Sequence, residues 1–257
     1  MKKFDFHWLI FKYDFKKLQD LRQNDFSNHD DDLTFKYACA SVKTFMKHNP
    51  DLAKSIHLWV DDVDLLTSVF SKYGVNVDDL NLHDIREEIE NDKKHEYPWN
   101  VKSAFLVRHF KDNSFFIDND CICKENISEL LNDLDDKKIV LWELERKIEN
   151  SRPYWGWQMA TEYLNKPFHY WVANDGIIGL TKSNVDKHVM QKSSEMCYDV
   201  YKNVDISSRF PDRHPKLMIS QQMAMCFAAQ DLELQIIESK KYFDHFYSNK
   251  NECLRFL

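Results

Sequence analysis

Apolar residues in this chain gather in short runs separated by longer segments of helical spacing. Phe6–Tyr13 (FHWLIFKY) is a run of strand length, and Ser55–Val60 (SIHLWV) is a second, closed by Asp61 and Asp62. Between them, Asn24–Asp32 is polar and acidic, a loop. Leu33–His48 is predicted as a helix: Tyr37, Ser41, Phe45 and His48 recur at helical spacing, Asp32 is the candidate N-cap, and Asn49-Pro50 ends it. Val63–Tyr73 reads as a helix stopped by Gly74, and Val75-Asn76-Val77 as the start of a third strand. Asn100–Phe110 is a predicted helix, and Ser114–Ile117 (SFFI) is a strand running into Asp118-Asn119-Asp120. Farther on, Ile139–Leu144 and Phe168–Ala173 read as strands, and Ser183–Asn203 and Ser220–Glu238 as helices. Strands alternating with helices imply an α/β fold with a mostly parallel sheet covered on its faces. In such sheets ligands bind at the carboxyl ends of the strands.

Composition narrows the picture. The 257 residues allow one large α/β domain, and no repeat, low-complexity tract or linker divides them, so a single domain over residues 1–257 is the simpler expectation. Acidic residues outnumber Lys and Arg by 42 to 35, which argues against a general nucleic-acid binder. No run approaches the ~20 apolar residues of a membrane span. After Met1-Lys2-Lys3, Asp5, His7 and Lys12 interrupt any signal-peptide core, so a cytoplasmic protein is expected, peripheral to a membrane where its substrate is lipid-linked. The six scattered cysteines fit reduced thiols. Cys121 and Cys123 form C-x-C, yet no second pair or neighbouring His completes a zinc site in the sequence.

Chemistry concentrates where the Ser114–Ile117 run meets Asp118 and Asp120. Two acids one residue apart at a strand end can approach a hard divalent cation, Mg2+ or Mn2+, that bridges to a diphosphate; a solvated acidic turn is the other reading. In the preceding helix Val101, Ala104, Phe105 and Arg108 share one face. An Arg among apolar neighbours calls for an anion, either a strand-end carboxylate or a substrate phosphate, unless it reaches out to water. Lys102 lies off that face. Glycine is scarce, and two of the four stand in Asn174-Asp175-Gly176-Ile177-Ile178-Gly179. Gly176 would admit a ligand close to the backbone, or simply serve a turn.

A helix with Lys and Arg, a short apolar strand and then Asp-x-Asp resembles the nucleotide-sugar site of GT-A glycosyltransferases, a Rossmann-like, nucleotide-diphospho-sugar transferase fold. The likeness is to small bacterial enzymes with the DXD sugar-binding motif and to the retaining glycosyltransferase family 8. Three further segments match it in order. Asn174-Asp175-Gly176 is similar to the family's N-x-G segment beside donor sugar and acceptor. Ser220-Gln221-Gln222 resembles its acid-Gln pair near the anomeric carbon, and Asp244–Lys250 its C-terminal His…Lys motif. The chain departs from the family in having Lys111-Asp112-Asn113 where a glycine pair is usual, and in lacking the acid before the glutamines.

The resemblance implies a metal site of Asp118, Asp120 and His245 for Mn2+ or Mg2+, with Lys250 and Arg108 as positive charges on the diphosphate. It implies a UDP- or GDP-type sugar donor held by Tyr13, Asp61, Asp62, Lys102, Asn119, Asn174 and Gly176. Gln221 and Gln222 would lie near the reacting carbon, which leans the reading towards retention of configuration, and Asp175 is the candidate acid for inversion. Trp155 and Trp157, around Gly156, are candidates for a platform under a carbohydrate or lipid-linked acceptor; a buried aromatic cluster is the plainer alternative. Two rivals stand beside it: a metal-dependent phosphohydrolase or nuclease, and a degenerate nucleotide-sugar-binding protein.

Overall fold

The structure, a computed structural model, describes residues 2–12, 32–93, 100–145, 155–165, 172–205, 221–246 and 249–257. Its first strand, β1 (Asp5–Ile10), shows how the sequence sorts its side chains. Phe6, Trp8 and Ile10 enter the core on one face of the sheet, while Leu9 enters a second core on the other. β2 (Ile56–Val60) pairs with β1 in parallel, β3 (Asn81–Asp84) extends that edge, and β4 (Ser114–Ile117) flanks β1 on its other side, also in parallel. Beyond β4 the direction reverses. β7 (Val172–Leu180) runs antiparallel to both β4 and β6 (Lys138–Glu145), and β8 (Gln235–Glu238) is parallel to β6. The strand order is β3-β2-β1-β4-β7-β6-β8, a mixed, mostly parallel sheet. A separate antiparallel pair joins β5 (Cys121–Cys123) to β9 (Phe243–His245).

Helices cover both faces. α1 (Leu33–His48) and α2 (Val63–Lys72) bury Phe35, Val42, Phe45, Leu66 and Phe70 against Phe6 and Trp8. α3 (Arg86–Lys93) and α4 (Asn100–His109) bury Ile89, Phe105 and Leu106 on the opposite face, joined by Met225 and Ala228 of α9 (Gln221–Asp231). α5 (Ser128–Asp133), α6 (Trp155–Leu164), α7 (Lys182–Asp186) and α8 (Val189–Asn203) complete the helices among the described residues. None of these helices is long and apolar enough to cross a membrane.

The second face also carries a row of histidines across β1, β2 and β3. His7 stacks on His57 and His57 on His83, with the His57 Nδ1 and His83 Nε2 atoms 3.0 Å apart. Trp59 Nε1 donates to His7 Nδ1 at 3.1 Å. Burial, reinforced by His57, His109 and His83, pushes the His7 pKa down to about 3.

Several elements differ from the sequence reading. Leu33–His48 is the helix expected, but Asp32 does not cap it: its backbone is already helical, and its carboxylate pairs with Lys36 at 2.6 Å. The third strand begins at Asn81 rather than Val75, after a 3-10 turn at Val77–Asp79; as an edge strand it needs few apolar residues. Asn174-Asp175-Gly176 lies within β7, because pairing with β4 and β6 carries the strand on to Leu180. The segment Ser183–Asn203 is broken at His188, whose φ of 57° ends one helix before the next begins. The helix expected to reach Glu238 stops at Asp231. Glu233, at φ 54°, turns the chain, and Gln235–Glu238 pairs along the edge of β6 instead.

Candidate active site

The site is assembled at the carboxyl end of β4. Ile117 is the last residue of that strand, and Asp118 follows with its backbone N–H donating to Gly176 O at 2.8 Å. A turn closed by Cys121 N–H on Asp118 O, at 3.0 Å, sends the chain into β5. That turn directs both carboxylates towards β9, whose His245 is the register partner of Cys121. Ser41 of α1 anchors the arrangement from the core: its hydroxyl donates to Cys121 O at 2.6 Å and accepts from Trp8 Nε1 at 2.9 Å. This explains a serine on the buried face of α1, where an apolar side chain would leave two buried groups unpaired.

His245 is held in one tautomer. Gly176 N–H donates to Asn174 Oδ1 at 2.9 Å, which identifies that atom as the amide oxygen. His245 Nδ1 lies 2.9 Å from the same oxygen and must therefore donate to it. Nε2 consequently faces the acids, 3.2 Å from Asp120 Oδ1 and 4.0 Å from Asp118 Oδ2. In the neutral ring that atom is a lone pair pointing at two carboxylates, an arrangement that asks for a cation among them. Trp142 packs edge-on against the imidazole, with ring centroids 5.2 Å apart. Gly176 fits beneath it only because it lacks a side chain: a Cβ there would stand 2.5 Å from the ring.

Two lysines offset the negative charge. Lys102 of α4 reaches Asp118 at 3.2 Å, the Asp175 carboxylate at 3.5 Å and the Asp175 carbonyl at 3.0 Å. Lys250 lies 2.6 Å from Asp120 Oδ2. The two acids respond differently. Burial pushes Asp118 up despite Lys102, and the Asp120 charge adds to the rise. Burial also opposes ionisation of Asp120, but Lys250, joined by His245 when its ring is charged and donates from Nε2, outweighs it and holds that carboxyl well below the usual carboxylate range. The Cys121 thiol is pushed well up by burial and by the two carboxylates.

The other residues named from the sequence take varied places. Asn119 donates from Nδ2 to Leu9 O at 3.0 Å, tying the turn to the end of β1, and its Oδ1 is buried with no hydrogen-bond partner among the described residues. Asp61 accepts from Lys12 N–H at 2.9 Å, joining the ends of β1 and β2. Asp62 caps α2 through Leu65 N–H and pairs with Lys12 at 2.8 Å. Those contacts, Lys12 before Leu65, hold the Asp62 carboxyl below its ordinary range. Arg108 finds its anions in α3, at 2.5 Å from Asp92 and 2.9 Å from Glu88, rather than at a strand end. Gln221 and Gln222 open α9, and Trp155 and Trp157 open α6. Tyr13 lies outside the described residues.

The chain's sequence did not single out Ser41 as a support or Cys121 as a neighbour of the acids. A polar residue on the apolar face of Leu33–His48 was the available sign for Ser41; Cys121 needed the β5–β9 pairing.

The donor set suits a divalent cation. Asp118, Asp120 and His245 offer two hard oxygens and an imidazole nitrogen, the mixture that Mn2+ accepts readily. Measured by mutual closeness alone, Asp120, Cys121 and His245 form the tighter triad, their ligand atoms within 4.8 Å of one another. For a hard ion the oxygens of Asp118 are the better match, since a protonated buried thiol is a poor ligand.

No protein-family model and no curated protein matches the chain. Among solved structures it is similar to the galactosyltransferase LgtC in complex with donor and acceptor sugar analogs. The identity is 14%, the match covers 87% of this chain and 69% of that one, and the TM-score is 0.51. It is likewise similar to mouse xyloside xylosyltransferase 1 in its apo form, at 13% identity over 91% of this chain and 84% of that one, with a TM-score of 0.52. At such identities the likeness is one of fold, and the mixed, mostly parallel sheet flanked by helices fits it: this chain has the GT-A glycosyltransferase fold.

Proposed function

We propose that the chain is a single-domain, metal-dependent glycosyltransferase that moves a sugar from a nucleoside diphosphate, of UDP or GDP type, to a carbohydrate or lipid-linked hydroxyl. The observation that carries this reading is the convergence of Asp118, Asp120 and the Nε2 lone pair of His245 at a strand end of a GT-A fold. A Mn2+ or Mg2+ ion held by these three would supply a Lewis acid for the charge that gathers on a departing diphosphate. Asn174 fixes the His245 ring for that task, and Gly176 leaves it the room it occupies. Lys250 and Lys102 place two ammonium groups beside the acids, where they favour an anionic ligand and its developing charge. Arg108, committed to Asp92 and Glu88, contributes by holding α4 against α3. The partnerless Asn119 oxygen supports its assignment to the donor, where a ribose hydroxyl would satisfy it. Retention of configuration remains part of the proposal through Gln221 and Gln222, with Trp155 and Trp157 assigned to the acceptor.

Thermal shift with UDP and GDP, with and without Mn2+, tests the reading. A ligand at a hundredfold excess over its Kd stabilises by about 2.7 kcal/mol, a visible shift that should require the metal. Asp118→Asn and Asp120→Asn should remove the shift and lower transfer by about 10²–10³, the usual weight of one such electrostatic contact. Folded Asn variants that keep both the shift and the turnover overturn it.

A further inference from the structure

Cys121 occupies a place that the reaction does not use. It is fully buried, and as the register partner of His245 across β5 and β9 it projects to the same side of the small sheet as the imidazole. Its sulfur, an Asp120 oxygen and a His245 nitrogen lie within 4.8 Å of one another. Asp118 Oδ2 stands outside that triad, 4.0 Å from His245 Nε2, as the further donor on the imidazole side. From metal–ligand lengths of about 2.0–2.2 Å for N or O and about 2.3 Å for S, tetrahedral coordination spaces N and O donors about 3.4 Å apart and S and N donors about 3.6 Å apart. The observed Asp120–His245 separation of 3.2 Å fits that spacing. Against those same lengths, Asp118 needs to close on His245 by about 0.6 Å and the sulfur by up to about 1.2 Å.

We propose that Cys121 gives this site a second metal mode, in which Zn2+ or Co2+ is held by Asp118, Asp120, His245 and the Cys121 sulfur and blocks the site. The proposal rests on the metal-site reading above and adds to it. Hard ions take the oxygens and the imidazole and leave the sulfur aside, whereas Zn2+ and Co2+ also bind thiolate. As the metal–sulfur bond forms, Cys121 loses its proton to solvent, one per ion bound. Four protein ligands close the tetrahedron, so no coordination position is left for a diphosphate. Zn2+ therefore inhibits where Mn2+ supports.

The test uses the full chain, freed of metal and titrated with Co2+ alone. A thiolate-to-cobalt charge-transfer band in the near ultraviolet should grow, saturate at one equivalent and disappear when Zn2+ is added. Cys121→Ser should abolish the band and weaken Zn2+ binding by about tenfold or more, since even outer partners of a metal are worth about 10–100-fold. Cys123→Ser and Cys253→Ser should keep the band; Cys253 is the informative control, because its sulfur lies 3.6 Å from Asp120 O. If Cys121→Ser does not fold, X-ray absorption at the zinc edge of the wild-type chain should still show one sulfur at about 2.3 Å. A band that survives Cys121→Ser, or a zinc shell without sulfur, overturns the proposal. Mn2+ binding, followed by its electron paramagnetic resonance signal, separates the two levels. Wild type that binds Mn2+ but shows no cobalt–sulfur band sinks only the second mode, whereas wild type that binds neither ion sinks the metal site itself.

Discussion

The most demanding test of the site concerns an added methyl group, Gly176→Ala. The backbone at Gly176 does not have positive φ, so alanine meets no conformational penalty there; the objection is space. Its Cβ would lie 2.5 Å from His245 Cε1 and Nδ1 and 3.0 Å from Nε2. Ordinary contact begins near 3.4 Å, so the ring or the strand must move by about 0.9 Å. The ring has little freedom, because its side chain is only 6% exposed, Nδ1 is bound to Asn174, and Trp142 stands against it. Overpacking of this kind typically costs about 1–3 kcal/mol, and in a chain of this size each kcal/mol lowers Tm by about 2–4 °C. A misplacement near 1 Å typically costs about 10²-fold in rate, so Mn2+-dependent transfer should fall by about that factor. Melting curves and transfer assays on Gly176→Ala, His245→Ala and the double variant complete a cycle. In the His245→Ala background the methyl meets an empty space, and Gly176→Ala should then cost almost nothing in stability. Strictly additive stability losses would refute the argument that Gly176 exists to make room for the imidazole.

Three other outcomes are expected. Ser41→Ala strands the Trp8 indole N–H and the Cys121 carbonyl, and should destabilise by about 1–3 kcal/mol in denaturant unfolding; an unchanged midpoint would show that the pair finds other partners. Lys102→Met removes the cation shared by Asp118 and Asp175. Because the pair is only partly buried, the substitution should destabilise the metal-free chain at neutral pH by about 1–3 kcal/mol, between the values of exposed and buried pairs, and the loss should shrink on adding Mn2+; equal losses with and without metal would argue against a cation site there. His7 has a folded pKa of about 3 against 6.5 unfolded, so between those values the unfolded chain binds the extra proton. Its contribution to stability is therefore complete above about pH 6.5 and lost as the pH falls towards 3, with a slope of up to about 1.4 kcal/mol per pH unit. His7→Phe should flatten the acid limb of a stability-against-pH curve, and an unaltered slope would contradict it.

Where local pattern and tertiary demand coincide, the sequence is a good guide. Ser114–Ile117 is apolar because both faces of β4 are covered, and Leu33–His48 shows its stripe because one side of α1 meets the sheet. The acids at Asp118 and Asp120 could be found for the same reason: charge placed directly after a buried strand has a defined position. His245, the proposed metal partner, was legible only through resemblance, since β9 is three residues long and carries no periodicity of its own. Arg108 illustrates the limit from the other side. The need for an anion was readable from its apolar neighbours, but the partners belong to α3, an acid-rich helix with little apolar pattern to announce it. Leu232–Glu238 misled because α9 is helical up to Asp231, and only the open edge of β6 explains why the next residues become a strand.

The pairing of β5 with β9 has a consequence for the order in which the molecule acquires its chemistry. Asp118, Asp120 and Cys121 stand next to a strand formed near the middle of the chain, whereas His245 and Lys250 arrive with a segment more than a hundred positions later. Contacts of such long range are slow to close, and a pair of three-residue strands has few ladder bonds to resist local opening. The core of β1, β2 and β4 can therefore be in place while the site is still in halves. Exchange of the backbone amides at Lys124 and Phe246, which donate to Tyr242 O and Asp120 O and so bridge the two segments, should be faster than at Phe6 or Leu58, and ion capture should slow that exchange more than it slows the core's.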